Sequence, residues 1–195
     1  MPLVRYLTHP QVQVDPQVPV PQWYLSELGA ARVRAVRSAP VLRATRHVVS
    51  SAEVKALETA GPIAEALDLR VDVRERMHEN DRSSTGFLPP DRFERMADRF
   101  FAHPEISAEG WETARDAQAR IVAEVFDYLN ECDGGDVLIV GHGGVGTLLW
   151  CALAGVGIDR RHDQGPGGGG NWFAFDTVDR KPLSGWQPME RLRDV

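Results

Sequence analysis

The chain has 195 residues, of which 43% are hydrophobic and 26% charged, the balance of an ordinary globular protein. That length suits one domain with a core of its own. A formal net charge of −6 argues against nucleic-acid binding, which calls for a basic excess, yet still allows a few cations focused in a cleft to hold an anion. No stretch reaches the roughly 20 apolar residues of a membrane span. The N-terminal MPLVRYLTHPQV has no long apolar run of a signal peptide, so a cytoplasmic location is expected. The two cysteines, Cys132 and Cys151, make no disulfide framework or zinc spacing, and Cys151 in its apolar run reads as a buried free thiol.

In chain order, Leu3 to Leu7 reads as a first buried strand, interrupted by Arg5 and ending at Thr8-His9-Pro10. A Pro- and Val-rich loop follows from Asp15 to Pro21, and Ser26 is placed to cap a helix from Glu27 to Ser38. A second strand, His47 to Val49, stops at Ser50-Ser51. The helix after it, Ala52 to Leu67, repeats Val54, Leu57, Ile63 and Leu67 near helical spacing, with Pro62 inside to kink or split it. A third strand, Val71 to Val73, leads into Met77-His78-Glu79-Asn80 and a polar excursion from Asp81 to Pro90. Two helices are then expected, Pro90 to Phe101 and Thr113 to Asn130, the first amphipathic and aromatic. The strongest strand is Asp136 to Gly141, whose continuous Val-Leu-Ile-Val suits a central strand covered on both faces. His142-Gly143-Gly144 turns into a helix running to Ala154. A glycine-rich loop, Gly165 to Gly170, then precedes a last strand, Trp172 to Asp176, and a polar tail. Strands alternating with helices predict an α/β sandwich with polar residues gathered at the strand ends, where such sheets bind ligands.

Two histidines stand at those ends. A neutral imidazole such as His9 can attack phosphorus and carry a phosphoryl group. His142 precedes Gly143-Gly144 at a helix start, where unpaired amides favour an anion and glycine lets it approach. The segment VLIVGHGGVGTLLWCALAG, Val137 to Gly155, resembles the second histidine motif of the histidine phosphatases, and HVVSSAEVKALETA, His47 to Ala60, is similar to their strand–Ser-Ser–helix motif. LTHPQV, Leu7 to Val12, sits where the family has its Arg-His-Gly signature, and Met77-His78-Glu79 where it has its acidic residue. The resemblance implies a phosphoglycerate-mutase-like fold, a three-layer αβα sandwich with a mostly parallel central sheet, in a single domain with a cap insertion around 81–111. It implies a phosphomonoester hydrolase with His9 as nucleophile, Glu79 as general acid and His142 stabilising charge. Phosphate contacts are expected from Thr8, Lys55, Arg82, Gly143 and Asn171, with Ser50, Ser51 and His78 nearby. It implies no cofactor and no metal, with a small phosphorylated substrate as partner.

The sequence departs from that family in three places. Thr8 and Pro10 replace the first motif's Arg and Gly, and Lys55 replaces a second Arg. Lysine is a point charge where arginine is a planar fork, so the grip on phosphate should be weaker. Shifting the register to use Arg5 would make Tyr6 the nucleophile. His9 is preferred, because it keeps the nucleophilic imidazole and puts Gln11 where the family often has Gln or Glu. The same departures support a competing expectation, a phospho-ligand binding module of the same fold with catalysis weakened or lost. A third reading, a dinucleotide loop at Gly141 to Gly146, fails because too few residues follow to complete a βαβ unit. Neither the substrate nor the oligomeric state is written in the sequence.

Overall fold

The computed structural model describes residues 2–193. Six strands form one sheet in the order β3-β2-β4-β1-β5-β6. Strands β1 (Leu3–Thr8), β2 (Thr45–Ser51), β3 (Val71–Arg74) and β4 (Asp136–Gly141) run parallel, whereas β5 (Asn171–Asp176) and β6 (Gln187–Pro188) add an antiparallel margin. The helices are α1 (Glu27–Val36), α2 (Val54–Ala66), α3 (Pro90–Ala102), α4 (Ala114–Glu131) and α5 (Gly143–Ala154). This is the mixed α/β, mostly parallel arrangement expected from the sequence.

The layers follow from strand periodicity. Alternate residues face opposite sides of a strand, so a strand covered on both faces must be apolar throughout. In β4, Leu138 and Val140 pack with Ala56, Ala60 and Ile63 of α2 and Val33 and Val36 of α1. Val137 and Ile139 instead join Ile121 and Val125 of α4 and Val145, Leu148 and Leu149 of α5. Met96, Phe100 and Phe101 of α3 extend this second core together with Trp111, and Phe93 packs against it. Cys151 is buried and free.

Local signals explain most boundaries. The Ser26 side chain accepts from the Gly29 amide at 3.1 Å and starts α1. Helix α5 ends at Gly155 in the left-handed conformation, φ 66°. Pro62 does not split α2, although an internal proline costs about 3 kcal/mol. Burial of Ala60, Ile63 and Ala64 around it holds the helix against the sheet.

The segment after Asp176 differs from the polar tail expected. It folds back as β6 and a 3-10 segment, Met189–Arg193, with Met189 and Leu192 buried beside α1 and Trp186 edge-on to Phe173. Its apolar residues stand singly among charged ones, so no periodicity announced them.

Candidate active site

The parallel strands bring their C-terminal ends together, and each delivers part of the site. His9 follows β1, its N–H bonded to the Gly141 carbonyl at 3.0 Å. His142 follows β4, and the two rings face edge to face with centroids 5.3 Å apart. The His9 Nδ1 lies 2.8 Å from the Pro10 carbonyl. A carbonyl can only accept, which places the proton on Nδ1 and leaves a lone pair on Nε2. Burial pushes the His9 pKa down to about 4, Lys55 and Arg82 add to that, and the Pro10 carbonyl and Glu53 oppose it.

His142 is fully buried. Its backbone N–H donates to the Tyr6 hydroxyl at 3.1 Å, and that hydroxyl donates to the His142 carbonyl at 3.0 Å. Tyr6 is thus a buried clamp beneath the second histidine, its pKa raised by burial above all. Arg5 pairs with Asp136 at 2.9 Å, at the opposite end of β4 from His142. The geometry removes Tyr6 and Arg5 from the pocket and with them the alternative register. On the ring, Nε2 lies 2.8 Å from the Ser51 hydroxyl and 3.6 Å from Glu53 Oε1, while Nδ1 is buried without a partner among the described residues. Burial lowers the His142 pKa to about 4; Glu53 and Glu79 oppose this, and His9 and Lys55 reinforce it. Both imidazoles are therefore neutral at pH 7.

The turn from β2 into α2 supplies a buried ion pair. Lys55 is almost wholly buried, donating to the Val20 carbonyl at 2.8 Å and to Glu53 Oε2. Glu53 Oε1 accepts the Glu79 amide at 2.9 Å. Burial works against ionisation of Glu53, but the neighbouring His142 and Lys55 and these hydrogen bonds outweigh it and hold the pKa at about 2. Lys55 does reach the site, but with a protein carboxylate already attached. Ser51 accepts the Glu53 amide at 3.2 Å rather than capping α2, and the Ser50 hydroxyl donates to the Ser51 carbonyl.

Glu79 lies across the start of α5. Its Oε2 accepts the Gly144 amide and its Oε1 the Val145 amide, both at 2.9 Å, and Oε1 also accepts the Asn80 amide at 3.0 Å. A carboxylate at the positive end of a helix is a favourable arrangement. It leaves the Gly143 amide as the free donor of the His-Gly-Gly turn. Arg120 fixes the loop that carries Glu79, donating to the carbonyls of Arg76 (2.7 Å), His78 (3.0 Å) and Glu79 (3.3 Å) while paired with Glu112. A cavity of about 750 Å³ opens beside Glu53 and Glu79, walled by Pro19, Val20 and Pro21. Arg82 lines it with no carboxylate partner among the described residues, its guanidinium 4.8 Å from the Phe93 ring centroid. His78 lines the same cavity.

On the other side of His9, Thr8 and Asn171 gather around Gln164. Thr8 is buried, donates to Gln164 Oε1 at 2.7 Å and accepts the Asn171 amide at 3.0 Å. The Asn171 side chain donates to the same Oε1 at 3.3 Å. Thr8 and Asn171 were expected to touch phosphate; the structure ties both side chains to Gln164 instead. The glycine-rich loop packs on the end of β1. Gly170 N–H donates to the His9 carbonyl at 2.9 Å, and a Cβ on Gly169, φ 87°, would lie 2.1 Å from that same oxygen. Arg32 clasps the loop through the Gly169 and Gly170 carbonyls and also holds Gln11, whose amide donates to Gly167.

Of the residues expected from sequence, His9, His142, Glu79, Lys55, Arg82 and Gly143 converge. Glu53, Arg120 and Gln164 were missed. Glu53 carried a signal, an acidic residue two before Lys55 inside the Ser-Ser motif. Arg120 and Gln164 act across long sequence separations and carried none.

The sequence matches the histidine phosphatase superfamily (branch 1) over residues 11–168, a stretch that begins just after His9 and includes Lys55, Glu79 and His142. The chain belongs to that superfamily. No curated protein matches it. Among solved structures, phosphoserine phosphatase from Entamoeba histolytica in complex with 3-phosphoglyceric acid superposes with a TM-score of 0.79 at 14% identity, covering 97% of this chain and 99% of the other. A mycobacterial glucosyl-3-phosphoglycerate phosphatase gives 0.75 at 21% identity, with 96% of each chain covered. YhfR of Bacillus stearothermophilus gives 0.75 at 22%, covering 93% and 94%. These likenesses establish a shared fold. Among the described residues no helix is long and apolar enough to cross a membrane.

Proposed function

We propose that the chain is a cytoplasmic, metal-independent phosphomonoester hydrolase that works through a phosphohistidine on His9. The observation that carries this reading is the Nδ1 contact to the Pro10 carbonyl, which leaves Nε2 of a neutral His9 unprotonated, in a ring that packs edge to face with His142. The Nε2 lone pair attacks phosphorus, and the ester oxygen departs with a proton from Glu79, which enters this step as the neutral acid rather than as the carboxylate that the Gly144 and Val145 amides hold. Glu79 then takes a proton from water as the hydroxide displaces the phosphoryl group from nitrogen, restoring His9 and releasing inorganic phosphate. His142 and the Gly143 amide meet the charge on the phosphoryl oxygens. Arg82 supplies the cation. The segment 81–111 is a cap over the site within a single domain.

A second reading, a phospho-ligand binder without turnover, draws on one observation. Lys55 is paired with Glu53, which leaves Arg82 as the one cation lining the cavity that has no carboxylate partner among the described residues. Hydrolysis of an aryl phosphate and a panel of small phosphomonoesters, in chelator-treated buffer, separates the two. Turnover abolished in a folded His9→Ala variant, with acid-labile phosphoprotein trapped in wild type, establishes the enzyme. Phosphate binding without turnover across the panel favours the binder. Turnover that survives His9→Ala removes His9 as nucleophile.

A further inference from the structure

Where the resemblance calls for an arginine before the nucleophile, this chain has Thr8, whose side chain is too short to clamp a phosphoryl group beside His9. The Thr8 hydroxyl instead meets Gln164. Gln164 is half-buried between β1, β5 and the start of α5. Its backbone N–H donates to Asp163 Oδ1 at 2.7 Å, and Asp163 also accepts the Thr147 hydroxyl of α5 at 3.2 Å. Its side-chain oxygen takes two donors, Thr8 Oγ1 and Asn171 Nδ2. With Oε1 turned to Thr8 Oγ1 and Asn171 Nδ2, Nε2 is the end of the amide that points away from Thr8. It points at Gly143, where an added Cβ would lie 2.1 Å from Nε2. Neither Gln164 Nε2 nor the Gly143 amide has an acceptor among the described residues. Two N–H groups thus stand together at the first turn of α5, next to His142 and without partners.

We propose that Gln164 is a phosphoryl-binding residue: its Nε2, aimed by Thr8 and Asn171, donates to a phosphoryl oxygen alongside the Gly143 amide and replaces the missing arginine of the first motif. This rests on the reading of the His9–His142 pocket as a phosphate site. It gives Thr8 and Asn171 positioning roles, and it accounts for Gly143, since any side chain there would displace the donor. A neutral amide supplies a directed hydrogen bond without the arginine's charge, which suits a ligand that also meets Arg82.

The test measures binding of inorganic phosphate by calorimetry in metal-free buffer, beside KM and kcat for an aryl phosphate. A hydrogen bond to a charged acceptor corresponds to roughly tenfold to a hundredfold in affinity, so Gln164→Ala is expected to weaken phosphate by about that factor. Gln164→Glu, of the same shape but with a carboxylate facing the anion, is expected to weaken it further. Thr8→Val, which frees the amide, should weaken binding severalfold in wild type and add nothing in the Gln164→Ala background. Replacing Thr8 by arginine in Gln164→Ala should recover affinity. Wild-type phosphate affinity in both folded Gln164 variants overturns the proposal, as does full additivity of Thr8→Val with Gln164→Ala. Wild-type protein that binds no phosphate and turns over no phosphomonoester overturns the phosphatase reading itself, and this proposal with it.

Discussion

His9 and His142 stand edge to face at the ends of β1 and β4 and are both neutral, yet the protein holds them by different means. His9 is tethered through one ring nitrogen to the carbonyl of the next residue, remains partly accessible, and has its other nitrogen open. His142 is sealed: Tyr6 brackets its backbone, Ser51 meets its ring, and Glu53 lies just beyond. The difference suits two roles. A nucleophile must be reachable and must shift to form and release a bond. A group that stabilises charge works best when fixed before the charge develops.

Substituting each histidine breaks this comparison most sharply. His9→Ala should lower turnover on the order of 10⁴-fold or more while leaving the urea midpoint nearly in place. His142→Ala should also abolish turnover and in addition cost about 2–4 kcal/mol of stability, because it empties a buried position. Equal stability losses in the two urea titrations would contradict the distinction drawn between them. Glu53→Gln comes next in size. It strands Lys55 as a buried charge, a loss of about 3–5 kcal/mol, and adding Lys55→Met should restore most of it, a non-additivity that a double-mutant cycle reads directly. Tyr6→Phe removes the hydroxyl that serves both His142 backbone groups and should cost about 1–3 kcal/mol, with turnover reduced through His142 rather than through His9. Pulsed labelling of phospho-His9 would show whether the first step survives.

Acid titration reads the same comparison without a substitution. Both histidine pKa values are lowered to about 4 in the folded protein from an ordinary 6.5, so the unfolded chain binds more protons between those values. Their contribution to stability is complete above pH 6.5 and fades as pH falls towards 4. Glu53, lowered to about 2 from 4.5, contributes fully above 4.5 and fades below it. Denaturant midpoints should thus decline in two stages on acidification. The acid limb of turnover, where His9 loses its lone pair, should lie near pH 4; a limb near 6.5 would mean that His9 is not desolvated as the structure has it.

The sequence made some parts of this plain and hid others for physical reasons. Strand β4 and helix α5 were legible because an uninterrupted Val-Leu-Ile-Val followed by His-Gly-Gly is hard to place anywhere but a central strand and the turn beyond it. Glu79 was legible by position, but its hold on the Gly144 and Val145 amides was not, since it depends on how the segments after β3 and β4 meet across the end of the intervening β2. Thr8 looked like a phosphate contact because sequence order puts it next to His9. Strand alternation turns its side chain to the other face, towards Gln164. The fold-back of residues 187–193 was invisible because Met189 and Leu192 are buried by tertiary contact with α1 and the sheet, with no local pattern to mark them.

Strand β1 has a consequence for how the molecule is born. Its neighbours on both sides, β4 and β5, come from the last third of the chain. During synthesis β1 therefore leaves the ribosome with both edges unsatisfied and waits for the distant β4 and β5 before it can be enclosed. Pairings of such long separation close late and slowly. The strand that leads into His9 is thus enclosed late, and a chain cut before β5 leaves one edge of β1 open beside that histidine.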